Sequence, residues 1–335
     1  MDTWLLDNLA CPRHNLKLTL DGDHLICGEG DRFFIADGVP ILLYDDGNPT
    51  HGFITRTLEQ AARIEAGEPM NDVVEFVPES TDGIDQYVRR YIPFTCGTLY
   101  HAIKDKMSRY PFPVLRLPES KGKRLLDIGC GWGRWTIAAE LKGYKAVGID
   151  PNLDAILAAR RVARQLGVDA NFIVADTLSL PFLQSTFDVT FSFSLLQHFR
   201  KSNVKKALPE ISRVTKDEGR ILIQMPNKHG LRCLYQQIKR GFKDGEEGTD
   251  VFYWTAGELK SVFNEQLGPS KLTADCFLGL NIQGTDVDIM PWTHKIVIRT
   301  SEMLRKISEF ATPMVHIADS LYVSSINRKR EHPAK

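Results

Sequence analysis

The sequence has no excess of either charge: 42 basic and 42 acidic side chains leave a formal net charge of zero. Proteins that bind nucleic acid over a broad surface show a basic excess, so no nucleic-acid partner is expected. No run approaches the roughly 18 apolar residues of a membrane-spanning helix. The opening stretch MDTWLLDNLACPRH lacks a basic segment followed by a long apolar one, so no signal peptide is expected. Cysteine is sparse: six in 335 residues, too scattered for a disulfide framework. Internal repeats and low-complexity tracts are absent as well. What remains is an ordinary globular composition, 43% hydrophobic and 25% charged, expected in a reducing, cytoplasmic setting. The length allows one large domain plus a small one.

Three segments can be told apart. Residues 1–45 contain short strand-like runs, KLTL, HLIC and RFFIADGVPILL, separated by Asp-Gly and Gly-rich turns. Residues 46–120 read as a helical connector or lid, with a loop at DDGNPTHG, a helix at TRTLEQAARIEAG and the Pro-broken RYPFPVLRLPESKGK. From residue 121 to 335 the period changes regularly. Strands RLLDIG, KAVGID, NFIVAD, FDVTFSFS and RILIQM mostly alternate with helices, one of which, near 202–215, contains Pro209. That alternation predicts an α/β fold with a parallel sheet covered on both faces. The tail NRKREHPAK is expected to be a solvated end.

The stretch RLLDIGCGWGRW, residues 124–135, is a short apolar run entering a turn with glycines at alternate positions. Such a turn lets a nucleotide approach bare backbone. The dinucleotide fingerprint Gly-x-Gly-x-x-Gly is not met, because Arg134 stands in the third place and Gly133 comes one residue early. Asp127, two residues before Gly129, would repel a pyrophosphate and attract an ammonium or sulfonium. Asp150 ends the second strand, 21 residues after Gly129, where a carboxylate can accept from both ribose hydroxyls. Taken alone it could also cap the following helix. Asp176 ends the third strand, where it can accept from an adenine amine. A nucleoside that carries a cation and no phosphate is S-adenosylmethionine.

Residues 123–226 resemble the class I S-adenosylmethionine-dependent methyltransferases. LLDIGCGWGRW is similar to their first motif, VGIDP to the second, VADTLSLPF to the third and FDVTFSFSLLQHF to the fourth. The resemblance implies a Rossmann-like, doubly wound, seven-stranded sheet beside a small N-terminal β-rich domain. It also implies that Asp127, Gly129, Gly131 and Gly133 hold the methionine end, Asp150 the ribose and Asp176 the adenine. Cys130, Pro151, Thr177 and Phe193 would complete the cofactor site, with residues 191–198 walling the methyl group. Of the two tryptophans at the loop, Trp135 is expected in the core and Trp132 beside the cofactor.

The N-terminal segment resembles a small zinc-ribbon-like domain that occurs with some methyltransferases, as a separate activator or fused. The pattern of that domain is Cys-x-x-Cys twice. Here it reads Cys11-x-x-His14 and Cys27-x-x-Gly30, and Gly30 has no ligand atom. Three ligands do not close a four-coordinate structural site. Asp31 and His24 are nearby donors, but neither has the expected spacing. The expectation is therefore no metal site, in a unit held by Phe33, Phe34, Ile35 and Ile41.

The fourth motif lacks the Asn/Asp-Pro-Pro-Tyr/Phe of adenine amine methylation, and no cysteine pair suggests a thiol relay. LLQHF resembles enzymes acting on small molecules, lipids and sugars. His198 is the expected general base, with His229 after the fifth strand as its competitor. Asn227, His229, Tyr253 and Trp254 lie where the fold commonly builds its acceptor pocket. KLTADCFLGL and SLYVSSIN are expected to pair antiparallel at the sheet edge, the insert between them covering the mouth. The expected function is O-methylation of a small molecule or glycan. The alternative is an RNA or protein methyltransferase whose N-terminal unit recruits the macromolecule.

Overall fold

The strand RLLDI becomes β5 because its residues are buried on both faces from Leu125 to Ile128, as in the centre of a parallel sheet. The computed structural model describes residues 2–45, 52–75, 83–243, 245–246, 248 and 250–328. Most of the expected DDGNPTHG loop and of the solvated tail lies outside them. The N-terminal elements are α1 (Thr3–Asn8), β1 (Thr19–Asp21), β2 (His24–Ile26), β3 (Arg32–Ala36) and β4 (Val39–Leu42). The connector contributes α2 (Gly52–Glu65), α3 (Met70–Val73) and α4 (Gln86–Thr95). Then come β5 (Arg124–Ile128), α5 (Arg134–Leu141), β6 (Lys145–Asp150), α6 (Leu153–Gln165), β7 (Asn171–Ala175), β8 (Phe187–Ser192), α7 (Lys201–Val214) and β9 (Thr215–Pro226). The chain continues with α8 (Leu231–Lys239), α9 (Ala256–Leu267), β10 (Ser270–Cys276), α10 (Trp292–Ser308) and β11 (Ser320–Ile326).

The strand order is β1-β2-β3-β4-β7-β6-β5-β8-β9-β11-β10. The seven strands from β7 to β10 are the doubly wound sheet that the sequence predicts. β11 runs antiparallel between β9 and β10, so the two C-terminal strands form the expected edge pair. The N-terminal unit joins the other edge: β4 pairs in parallel with β7, matching Ile41 to Val174 and Leu42 to Ala175. Its apolar residues therefore extend the core of the large sheet.

Helices cover both faces. Leu5 and Leu9 pack with Val204, Leu208, Leu259 and Phe263 on one side. Ile54, Ile92, Ile137, Ile156 and Val162 pack on the other. Each fully buried side chain of this size contributes roughly 1.5–3 kcal/mol. Asn152, not Asp150, caps α6, its side chain accepting from the Asp154 amide. Pro209 lies inside α7, which continues through it to Val214.

The connector clamps onto the start of α6. Thr57 Oγ1 donates to the Pro151 carbonyl at 2.8 Å and accepts from the Leu153 amide. Asp154, 4% exposed, accepts from Arg56, from Gln60 and from the Glu75 amide. These contacts set the connector beside the carboxyl ends of β5, β6 and β8.

Candidate cofactor and active site

In a doubly wound sheet the crevice opens where the chain order reverses, outside the strand ends. Here the first strand of the αβ series, β5, lies between β6 and β8. A cavity of about 220 Å³ opens at that point. Its walls include Gly129, Cys130, Gly131, Asp150, Pro151, Phe193 and His198, all expected from the sequence.

The loop after β5 takes its shape from positive φ angles at Gly129 (77°), Gly131 (51°) and Gly133 (82°). They serve different ends. A Cβ on Gly129 would lie 2.8 Å from the Cβ of Leu195, so Gly129 lets the fourth-motif segment close down on the loop. A Cβ on Gly133 would meet Ala159 and Phe172 at 3.0 Å, so Gly133 seats the loop on the core. At Gly131 a Cβ would meet nothing within 4 Å. That is the position where bare backbone faces open space.

Asp150 is fastened from both sides. Its Oδ2 accepts from the Gly131 amide at 3.0 Å and its Oδ1 from the Asn152 amide at 3.0 Å. Burial pushes its carboxyl up to about 6, against the lowering effect of those two amides. Asp127 lies beneath the loop, 1% exposed. Its Oδ2 accepts from Thr136 Oγ1 at 2.7 Å, and its Oδ1 has no hydrogen-bond partner. Burial raises it to about 7; the Thr136 hydroxyl opposes the shift and the Asp150 charge adds to it. The buried Asp127 carboxyl and that of Asp150 at the cavity wall, both beside the glycine loop, make a site that a cation would complete.

His198 closes the cavity from the β8 side. Its Nδ1 lies 3.1 Å from the Asp250 carbonyl oxygen and its Nε2 3.2 Å from Gln197 Nε2. A carbonyl can only accept and an amide nitrogen can only donate, so these partners place the proton on Nδ1 and make Nε2 the acceptor of the Gln197 amide.

Other expected residues are not on this wall. Asp176 follows β7 and accepts from the Leu178 amide at 3.2 Å, and Thr177 is buried. Neither lines the cavity. His229 is exposed on the turn after β9, its amide donating to Asn227 Oδ1, and it does not line the cavity either. Asn227 is fully buried, its amide group donating to the carbonyls of His316 and Ala318. Trp254 is 1% exposed in the core, with Lys201 over its ring. Both hold the fold rather than line the cavity. Trp132 and Trp135 are both buried and both reach the wall.

Several residues come into view only in three dimensions. Phe53, Phe94, Thr95 and Cys96 of the connector line the cavity. Behind it runs a buried polar chain. Gln197 donates to Ser194 Oγ at 2.6 Å, and the Ser194 amide donates to Gln224 Oε1 at 2.8 Å. Gln224 donates to Ser320 Oγ, which donates to Asp275 Oδ2 at 2.7 Å. Ser194 has φ 62°, unusual for a residue with a side chain. Arg134, which stands where a dinucleotide loop has its third glycine, is 3% exposed. It donates to Tyr100, to the Pro111 carbonyl and to Asp286 at 3.0 Å, tying connector and C-terminal insert to the loop.

A family profile described as "Methyltransferase domain" matches residues 125–219. The uncharacterized protein MJ0638 of Methanocaldococcus jannaschii is 30% identical over 175 residues, 52% of this chain and 68% of that one. The demethylmenaquinone methyltransferase of Renibacterium salmoninarum is 36% identical over 104 residues, 30% of this chain and 40% of that one. Among solved structures, a SAM-dependent methyltransferase of Methanosarcina mazei is 19% identical, with a TM-score of 0.45 over 63% of this chain and 95% of that one. The chain spans only 39–43% of the length of three of the curated relatives it matches. Among the described residues no helix is long and apolar enough to cross a membrane. The profile match falls on the strands that build the glycine loop, beside the buried Asp127 and the Asp150 that ends the next strand, and it makes residues 125–219 a methyltransferase domain of the S-adenosylmethionine-dependent kind.

Proposed function

We propose that this chain transfers the methyl group of S-adenosylmethionine to a hydroxyl of a small-molecule or glycan acceptor, with His198 as the general base. The observation that carries this reading is the place of His198 on the cavity wall beside the glycine loop, with Nδ1 3.1 Å from the Asp250 carbonyl oxygen and Nε2 3.2 Å from Gln197 Nε2. Methyl transfer is an in-line displacement, so a hydroxyl must be held in line and lose its proton as it attacks. S-Adenosylmethionine supplies an electrophilic methyl on a sulfonium. The residues that would hold it are Asp127 and the loop Gly129–Gly133 at the methionine end, Asp150 at the ribose, and Asp176 with Thr177 at the adenine. Cys130, Pro151 and Phe193 would pack around it.

The lining supports a small, ring-bearing acceptor. Phe53, Phe94, Trp132, Trp135, Phe193 and Phe199 supply apolar faces. Among the described residues of the lining Arg134 is the one Arg or Lys, and that side chain is committed to Asp286 and Tyr100. A macromolecular polyanion would need free cations at the mouth. Six free, buried cysteines fit a reducing, cytoplasmic setting.

His198→Ala should lower kcat by roughly 100-fold, with the Kd for S-adenosylmethionine little changed. The acceptor is found by screening hydroxylated aromatics and sugars for release of S-adenosylhomocysteine. A loss of cofactor affinity at unchanged kcat would make His198 a wall residue. An acceptor that presents a carboxylate would remove the need for a base.

A further inference from the structure

We propose that Cys11, His14, Cys27 and Asp31 form a structural zinc site. Counting along the chain finds three donors and a glycine at position 30. The fold supplies the fourth donor from the next residue. Two tight turns face one another. In the first, the Asn15 amide donates to the Cys11 carbonyl at 2.8 Å. In the second, the Gly30 amide donates to the Cys27 carbonyl and the Cys27 amide to the Asp31 carbonyl, both at 2.9 Å. The second turn directs the side chain of Asp31 to the place where a ligand is needed. The four donor atoms lie within 4.8 Å of one another, the one such cluster of His, Cys, Asp and Glu among the described residues. His24, the other sequence candidate, is elsewhere, between Asp23 and Glu65.

The two nitrogen–sulfur distances fit a metal at the centre, and the carboxylate oxygen stands closer in. His14 Nδ1 lies 3.6 Å from Cys11 Sγ, 3.6 Å from Cys27 Sγ and 2.9 Å from Asp31 Oδ2. Sulfur at about 2.3 Å and nitrogen at about 2.1 Å around a tetrahedral zinc stand about 3.6 Å apart. Hydrogen bonds alone serve this arrangement poorly. One ring nitrogen has a single proton or a single lone pair to offer, and here two sulfurs and a carboxylate oxygen crowd around it. A cation at the centre satisfies all of them. Two thiolates, an imidazole and a carboxylate select zinc over harder cations, and four protein ligands leave no open position, so the role is structural. Arg13 Nη1, 2.9 Å from Asp31 Oδ1, offsets the surplus negative charge.

The site holds the segment that buttresses the cofactor domain. Just before Cys11, the Ala10 amide donates to the Pro181 carbonyl, and the Asn8 carbonyl accepts from the Leu183 amide. Arg13 also lies over the ring of Tyr44, whose hydroxyl is 3.1 Å from Ser179 Oγ. Thus a metal-held turn is fastened to the loop that begins at Asp176.

The test uses the full chain expressed with zinc supplied. Elemental analysis should find one zinc per chain, falling at least tenfold in Asp31→Ala and in Cys11→Ser. Because a variant could fail to fold, the wild-type chain is also stripped and reloaded with cobalt(II). An intense visible spectrum of tetrahedral cobalt with thiolate charge-transfer bands in the near ultraviolet is expected, and the midpoint of thermal unfolding should drop when a chelator is added. A wild-type chain without zinc that gives only the pale spectrum of octahedral cobalt would overturn the proposal. So would full zinc retention in Asp31→Ala.

Discussion

The Gly131 amide donates to Asp150 Oδ2 at 3.0 Å, so the bare-backbone position of the glycine loop is anchored by the carboxylate that ends the next strand. Under the proposed function the same carboxylate would also hold the ribose, so that one side chain would shape the loop and read the cofactor.

Replacing it should cost both. Asp150→Ala is expected to weaken S-adenosylmethionine binding by about 1.5–3 kcal/mol, because charge-assisted hydrogen bonds to the ribose are lost. Calorimetry on the folded variant measures this. Unchanged affinity would remove Asp150 from the site.

Two glycines should respond differently to alanine. At Gly129 the added methyl strikes Leu195 at positive φ, so Gly129→Ala should lower stability by about 1–3 kcal/mol along with affinity. At Gly131 the methyl enters open space, so Gly131→Ala should lose affinity out of proportion to a stability loss of about 1 kcal/mol. Paired denaturation and binding curves separate the two. Equal losses of both quantities in the two variants would contradict the assignment.

The pH dependence follows from the raised carboxyls of Asp127, at about 7, and Asp150, at about 6. In the free protein both hold protons more tightly than in the unfolded chain. Their contribution to stability is fully present below the ordinary carboxylate range and is lost as pH rises through 6 and 7. The cofactor acts oppositely: its cation and its ribose hydroxyls favour the ionised forms. Affinity should therefore rise from pH 5 to 7, levelling above, with protons released on binding. Calorimetry in buffers of different ionisation enthalpy measures that release. A Kd constant across this interval, or proton uptake, would refute it.

Arg134 and Asp286 form an ion pair whose side chains are 4% and 2% exposed. Arg134→Ala leaves Asp286 buried without a counter-charge and should destabilise by about 3–5 kcal/mol. The double variant Arg134→Ala/Asp286→Ala should be less destabilised than the sum of the singles. Strict additivity would show that the pair does not couple insert and loop.

The sequence alone was enough for whatever depends on neighbours along the chain. The period of apolar residues marks the strands and helices, and the alternate glycines mark a turn needing positive φ at Gly129, Gly131 and Gly133. Strand ends locate Asp150 and Asp176, and the motif order implies the doubly wound sheet. Tertiary structure decided what depends on closing long loops, where many chain registers match the same local pattern. It put β4 against β7, joining the N-terminal unit to the large sheet. It turned Asp31 rather than Gly30 toward Cys11. It buried Asn227 and Trp254 in the core and left His229 on an exposed turn. It also built the chain Ser194–Gln224–Ser320–Asp275 from four distant segments. Each of these side chains is polar or aromatic with several possible partners, and only packing chooses among them.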